Sequence, residues 1–425
     1  MINRHPEQIK LVALLKTKGT GETMGKHLSP EDLQTLTLLL VSEHTELTTK
    51  ATMWTALTML TQTADEAAWF HAFPKTQLPQ GLHFFWEPQT AFQRCCNTVV
   101  SGQSLTRSEA KSAIQDVLDP SIPAHEKAVF LEALRLKRET LDENLGVFEG
   151  LWETCLHTKA RVPRLIDLSL SYDGFSRTPL LAPFCAPILA SLGYPTIVHG
   201  TDNLGPKYGQ TTHRLLRAAG KKMQQTTAVI TDLETPSIGW GYIDQSESAP
   251  ALHALTTVRN DMVKRPLLAT LDKLMQPIHG DTTFLVTGYT HPPYRPLLLA
   301  LCDKALPVTG AVVMRGVEGS IQPPIDRRFP VSMWTPQTTE EVFFRAADLG
   351  LAEAPLPTVS LADKDVVNFG VDALCGKPGF AYDTLLLMGT TILTGLKLMA
   401  QDEALIAVEK SLREGLALAH WTRKK

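Results

Sequence analysis

Apolar positions along the chain change their period near residue 161. Before it they recur at helical spacing, as in Leu33, Leu36 and Leu40, then Met53, Leu57 and Leu60, so each set forms a stripe on one helical face. A stripe of that kind has to be buried against another element. Helix starts are written beside the stripes. Ser29-Pro-Glu-Asp32 and Thr63-Ala-Asp-Glu66 each place a hydroxyl that can accept from first-turn amides and, three positions on, a carboxylate that can reach back. The same stretch then recurs at a constant offset of 77, the separation of Leu28 from Leu105. Gly25/Gly102, Lys50/Lys127, Ala51/Ala128, Ala56/Ala133, Leu57/Leu134, Thr63/Thr140, Asp65/Asp142 and Glu66/Glu143 are identical pairs in that register, with no gap. Thr106-Arg-Ser-Glu109 and Thr140-Leu-Asp-Glu143 repeat the start signals. Two copies of a small antiparallel helix set are therefore predicted. They are joined through Pro74 to Pro88, where prolines and Gly81 interrupt the helical period.

From about Arg161 the runs shorten and become β-rich. Leu165–Leu170, Thr196–Val198, Ala228–Thr231, Phe284–Val286 and Ala311–Met314 read as buried strands, with helices expected near 180–192, 210–219, 250–262 and 293–304. Two long helices, 383–398 and 403–421, close the chain. The alternation predicts an α/β fold: an N-terminal helical domain with a duplicated copy, and a larger, mainly parallel sheet covered by helices. The boundaries expected are 1–80 for the first copy, 90–160 for the second and 161–425 for the sheet domain. Ligands in such sheets gather beyond the carboxyl ends of strands, which directs attention to the turns after Leu170, Val198 and Met314.

Composition changes this picture little. The 425 residues are 44% hydrophobic and 20% charged, ordinary for a globular chain, and the formal net charge of −3 provides no global attraction for nucleic acid or acidic membranes. No apolar run approaches the ~20 residues that span a bilayer. The opening Met1-Ile-Asn-Arg-His-Pro6 lacks the apolar core of a signal peptide, so a cytoplasmic site is the expectation. Six scattered cysteines with no CxxC spacing are read as reduced and mostly buried, and no His/Cys cluster has zinc spacing.

Candidate chemistry lies in the turns. Ser171-Tyr-Asp-Gly-Phe-Ser-Arg-Thr178 precedes a helix; its hydroxyls, Gly174 and Arg177 suit an oxyanion, although a capped βα turn needs Asp, Ser and Gly in any case. His199-Gly-Thr-Asp202 and the following Lys207 and Gly209 are also compatible with phosphate, and no segment fits a P-loop or a dinucleotide fingerprint. With their flanks, these turns resemble the anthranilate phosphoribosyltransferase family of glycosyltransferases, from about Ser101 to the C-terminus. His199-Gly200 stands where the family has K-H-G-N-R, and Val313-Met-Arg-Gly-Val-Glu-Gly319 where it has V-V-H-G-x-D-G. Arg259 falls at the family's anthranilate-binding arginine.

The departures are as informative. The family's glycine-rich G-T-G-G-D loop is Ser171-Tyr-Asp-Gly174 here, its N-I-S-T hydroxyls fall at Leu180–Pro183, and its magnesium-binding D-E pair coincides with Ile321 and Gln322. Magnesium prefers hard anionic oxygens, which neither residue supplies; Glu318, Asp202 or Asp173 would have to stand in. The resemblance implies a phosphoribosyltransferase-like enzyme whose reaction is altered or lost, acting on a sugar phosphate and an aromatic carboxylate. Its expected binding residues are Ser171, Asp173, Gly174, Ser176, Arg177, Thr178, His199, Gly200, Thr201, Asp202, Lys207, Arg259, Arg265 and Arg315, with Glu318 as the candidate metal ligand. The alternative is a non-catalytic, nucleic-acid-binding paralogue. A homodimer, formed through the helical domain as in the family, is expected in either case.

Overall fold

A computed structural model describes residues 4–19, 25–358 and 361–423, so part of the opening run Met1–Pro6 lies outside the described residues. The chain divides into two compact units: one comprises 1–154 and 251–269, the other 155–250 and 270–425.

The first unit is helical. Its helices are α1 (Pro6–Lys18), α2 (Pro30–Val41), α3 (Leu47–Met59), α4 (Ala64–Ala72), α5 (Ala91–Val100), α6 (Arg107–Leu118), α7 (Ala124–Lys137) and α8 (Leu141–Trp152). The starts of α2, α3 and α4 each lie 77 residues before those of α6, α7 and α8, so the sequence register is a structural one. All four predicted start signals form reciprocal capping boxes, at Ser29/Asp32, Thr63/Glu66, Thr106/Glu109 and Thr140/Glu143. The repeat extends to a buried charge. Glu66 accepts from the amides of Leu28 and Thr63, both at 2.9 Å, and Glu143 accepts from those of Leu105 and Thr140 at 2.9 and 2.7 Å. Each carboxylate is neutralised by a lysine, Lys18 at 2.8 Å or Lys137 at 2.7 Å, and these two lysines are not repeat equivalents. Burial pushes the Glu66 carboxyl up, but its bonds to Lys18, Leu28, Thr63 and His27 prevail and hold it down at about 2. In this way the loop before α2 is tied to the start of α4, and the loop before α6 to the start of α8.

The second unit holds the sheet. Its strands are β1 (Thr158–Lys159), β2 (Arg164–Ser169), β3 (Thr196–Gly200), β4 (Trp240–Asp244), β5 (Ile278–His279), β6 (Thr282–Gly288), β7 (Gly310–Met314), β8 (Phe329–Trp334) and β9 (Thr339–Phe344). β1 pairs with β5 alone, and the other seven lie in the order β4-β3-β2-β6-β7-β8-β9. Pairing is parallel from β4 to β7 and antiparallel for β8 and β9. The architecture is thus the α/β arrangement expected, with local differences. Residues 228–231, expected as a strand, lie in the helix Thr226–Glu234. Val229 and Leu233, one helical turn apart, are both buried, so an amphipathic face overrides the β-branched run. The strand at this point is Trp240–Asp244, where a Cβ on Gly241 would approach the Val229 side chain to 2.6 Å. Residues 251–269, expected in the sheet domain, belong to the helical unit.

The closing segment 403–421 is two helices, Gln401–Arg413 and Leu416–Thr422, parted at Gly415, whose φ of 70° glycine adopts without strain. The second helix is anchored by Trp421, which stacks on Trp240 at 5.3 Å and lies 4.9 Å from Phe184, with the Lys221 ammonium 4.3 Å from its ring. Trp421→Ala is expected to destabilise the second unit by about 3 kcal/mol, from lost burial and the cavity left behind. A thermal melt of the variant that overlays the wild type would show the anchor to be inert.

Candidate oxyanion site at the strand ends

β2 lies between β3 and β6, so the chain leaves β2 towards one side and returns on the other, opening a crevice at their carboxyl ends. Both candidate turns lie here. They are laced by a short bridge in which Phe175 N donates to Gln210 O at 2.8 Å and Gln210 N to Phe175 O at 2.6 Å, while Gly209 N donates to Asp173 O at 2.9 Å. Gly174 is required at this crossing. Its φ is 73°, and a Cβ there would lie 2.3 Å from Gln210 O.

Beyond Gly174 the backbone amides of Ser176, Arg177 and Thr178 all point at one carboxylate, that of Glu318. The distances are 3.1, 2.9 and 3.2 Å, and the Thr178 hydroxyl donates at 3.4 Å. The Lys207 ammonium closes the ring as an ion pair with the other side of the same group. Consecutive amides facing one point form a nest whose partial charges favour an anion. Burial pushes the Glu318 carboxyl up, but Lys207 and the amides of Arg177 and Ser176 outweigh it and hold it below the usual range. The residue expected as a metal ligand is therefore surrounded by donors, the environment of an anion held in place.

A second cluster lies beneath the turns. His199 is fully buried; its Nε2 is 2.9 Å from Asp167 Oδ1 and its Nδ1 2.6 Å from the Tyr172 hydroxyl. Both ring nitrogens are engaged, so His199 positions the turn from below, and the contact with phosphate expected of it is not available. Burial, with Asp272 and Asp167 next, pushes the Tyr172 hydroxyl well above its ordinary range. Lys273 is also buried, donating to Gly288 O and, at 3.3 Å, to Gly319 O. Burial lowers its ammonium to about 8 against the opposing pull of Asp272 and Asp173. Neither Asp167 nor Lys273 is among the residues expected from sequence; an acid inside an apolar strand is the mark that could have found Asp167, and Lys273 carries none.

Other expected residues are dispersed. Ser171 Oγ is 3.5 Å from Gly319 O, Gly200 and Thr201 are buried, and the Asp202 carboxylate pairs with Arg217 at 2.9 Å. Arg315 is exposed and bonds Thr290 O at 3.2 Å. Arg259 and Arg265 belong to the helical unit, where Arg259 is buried and Arg265 exposed. At the magnesium positions, Ile321 is core and Gln322 is a buried bracket: its Oε1 accepts from Leu181 N at 2.7 Å and its Nε2 donates to Pro179 O at 3.0 Å. Neither residue that the resemblance sets against the family's magnesium pair offers the anionic oxygen magnesium prefers.

Residues 93–155 match the helical bundle domain of a glycosyl transferase family. An uncharacterised protein of Aquifex aeolicus is 27% identical over 53% of this chain and 67% of its own length. The anthranilate phosphoribosyltransferase of Symbiobacterium thermophilum is 25% identical over 76% of this chain and 90% of its own. Other relatives are matched over only 30% or 55% of their length. The anthranilate phosphoribosyltransferase of Saccharomyces cerevisiae, in complex with PRPP and Mg, superposes with a TM-score of 0.66 at 15% identity, covering 78% of this chain and 96% of that one. A helical unit and a unit built on a mostly parallel sheet thus define the fold class of these structures. Over most of its length the chain is similar to anthranilate phosphoribosyltransferases, in sequence at 25% identity and in fold. Among the described residues, no helix is long and apolar enough to cross a membrane.

Proposed function

We propose that this chain is a phosphoribosyltransferase-like glycosyltransferase that binds a sugar phosphate at the 174–178 nest and carries out a reaction altered from the family's. The observation that carries the reading is the convergence of the Ser176, Arg177 and Thr178 amides and the Lys207 ammonium on one oxyanion. Such donors are fixed before a ligand arrives, so the 176–178 backbone need not be reordered to meet a phosphate. With Gln322 committed to the backbone of 179–181, charge on a pyrophosphate has to be met by protein cations. No observation favours nucleic-acid binding in the same way, and a homodimer remains part of the proposal through the family resemblance alone.

The test is a titration with phosphoribosyl pyrophosphate, with and without magnesium, followed by amide chemical shifts. The expected changes fall at residues 176–178, and magnesium alters the affinity by less than about threefold, under 1 kcal/mol. Changes confined to other amides would overturn the site. Magnesium-dependent release of pyrophosphate with anthranilate as acceptor would overturn the altered reaction.

A further inference from the structure

The nest already has an anionic guest, and the guest belongs to the chain. We propose that Glu318 is a tethered internal ligand of the oxyanion site, so that an incoming phosphate has to displace its carboxylate from the amides of 176–178 and from Lys207. This deepens the phosphate-site reading and rests on it.

Three observations support it. First, the Glu318 carboxylate takes the amides of Ser176, Arg177 and Thr178, the Thr178 hydroxyl and the Lys207 ammonium, as the terminal oxygens of a phosphate would. Second, Glu318 is held in place by its backbone. It has φ 51° and ψ 26°, a left-handed conformation uncommon outside glycine. The turn around it is tight: a Cβ on Gly316 would meet Ser320 O at 1.9 Å, and one on Gly319 would meet the Thr290 hydroxyl at 2.8 Å. Third, the contact is shielded, the Lys207 and Glu318 side chains being 11% and 7% exposed. A carboxylate held below its usual range stays charged at neutral pH, so protonation does not release it there. Release has to come from a stronger anion or from movement of the 315–320 turn.

A tethered competitor lowers apparent affinity by the fraction of time the site is open, so a nest open about a tenth of the time binds about tenfold more weakly than a free one. The ligand class follows from the donors: a tetrahedral oxyanion whose extra charge and extra oxygens outbid one carboxylate, such as a phosphate monoester or the end of a diphosphate.

The experiment is calorimetric titration of inorganic phosphate and pyrophosphate into the full chain, as wild type, Glu318→Gly and Glu318→Gly with Lys207→Ala. Glycine suits the left-handed position, and Glu318→Asn, also tolerated there, serves as a second variant should the glycine lower stability. Removing the carboxylate is expected to tighten phosphate binding at least about tenfold, and adding Lys207→Ala to reverse most of that gain. Equal affinity in wild type and both Glu318 variants would show that the carboxylate does not compete, while leaving the phosphate site standing. Absence of binding in every variant would show that the freed nest accepts no oxyanion, and both readings would fall together.

Discussion

Glu66→Ala is expected to cost the helical unit about 4 kcal/mol, because it leaves the Lys18 ammonium buried without its carboxylate and the amides of Leu28 and Thr63 without an acceptor. The substitution also has a pH signature. The folded carboxyl titrates at about 2 and the unfolded one at 4.5, so the stabilisation is complete above pH 4.5 and disappears as pH falls through about 2. The shift corresponds to about 3 kcal/mol of the total. Urea denaturation at pH 7 and pH 3 should show a wild-type loss that Glu66→Ala does not share. A variant losing less than about 1 kcal/mol at pH 7, or keeping the wild-type acid slope, would show that this carboxylate is not what fastens the loop.

The second large effect is expected beneath the candidate site. His199→Ala removes the partner of a fully buried Asp167 whose other oxygen, Oδ2, already has no hydrogen-bond partner, and it strands the Tyr172 hydroxyl as well. A loss of about 4 kcal/mol follows from an unpaired buried charge. The double variant with Asp167→Ala should lose less than the sum of the single losses, by at least about 1 kcal/mol, since the two side chains share one interaction. Additive losses in the cycle would break this account. So would a His199→Ala protein of wild-type stability that had lost phosphate binding, the outcome for a histidine that touches the ligand directly.

The parts of the fold legible in the sequence were those set by local chemistry. The capping boxes at Ser29, Thr63, Thr106 and Thr140 are four-residue signals, and a gapless offset carries them from one copy to the next. Residues 228–231 misled because β-branched side chains favour strands only where a sheet has room for them; here Val229 and Leu233 bury one helical turn apart. The site was legible as two turns, because strand ends and glycine mark them. Its central contact was not: Glu318 meets Ser176 across 142 residues, and no short pattern encodes that meeting. Arg259 was assigned to a ligand through resemblance, whereas its position within the helical unit depends on where the 251–269 segment returns.

That returning segment bears on how the protein is made. The first 154 residues leave the ribosome without residues 251–269, which complete their unit. At about 5–20 residues per second, the roughly 100 residues in between take some 5–20 seconds to synthesise. For that interval the nascent helical unit presents the surfaces that the late segment will cover, and the five parallel strands of the sheet cannot all pair until still more chain has emerged. A fragment ending near residue 154 should therefore be captured by chaperones more readily than the same fragment joined through a short flexible linker to residues 251–269.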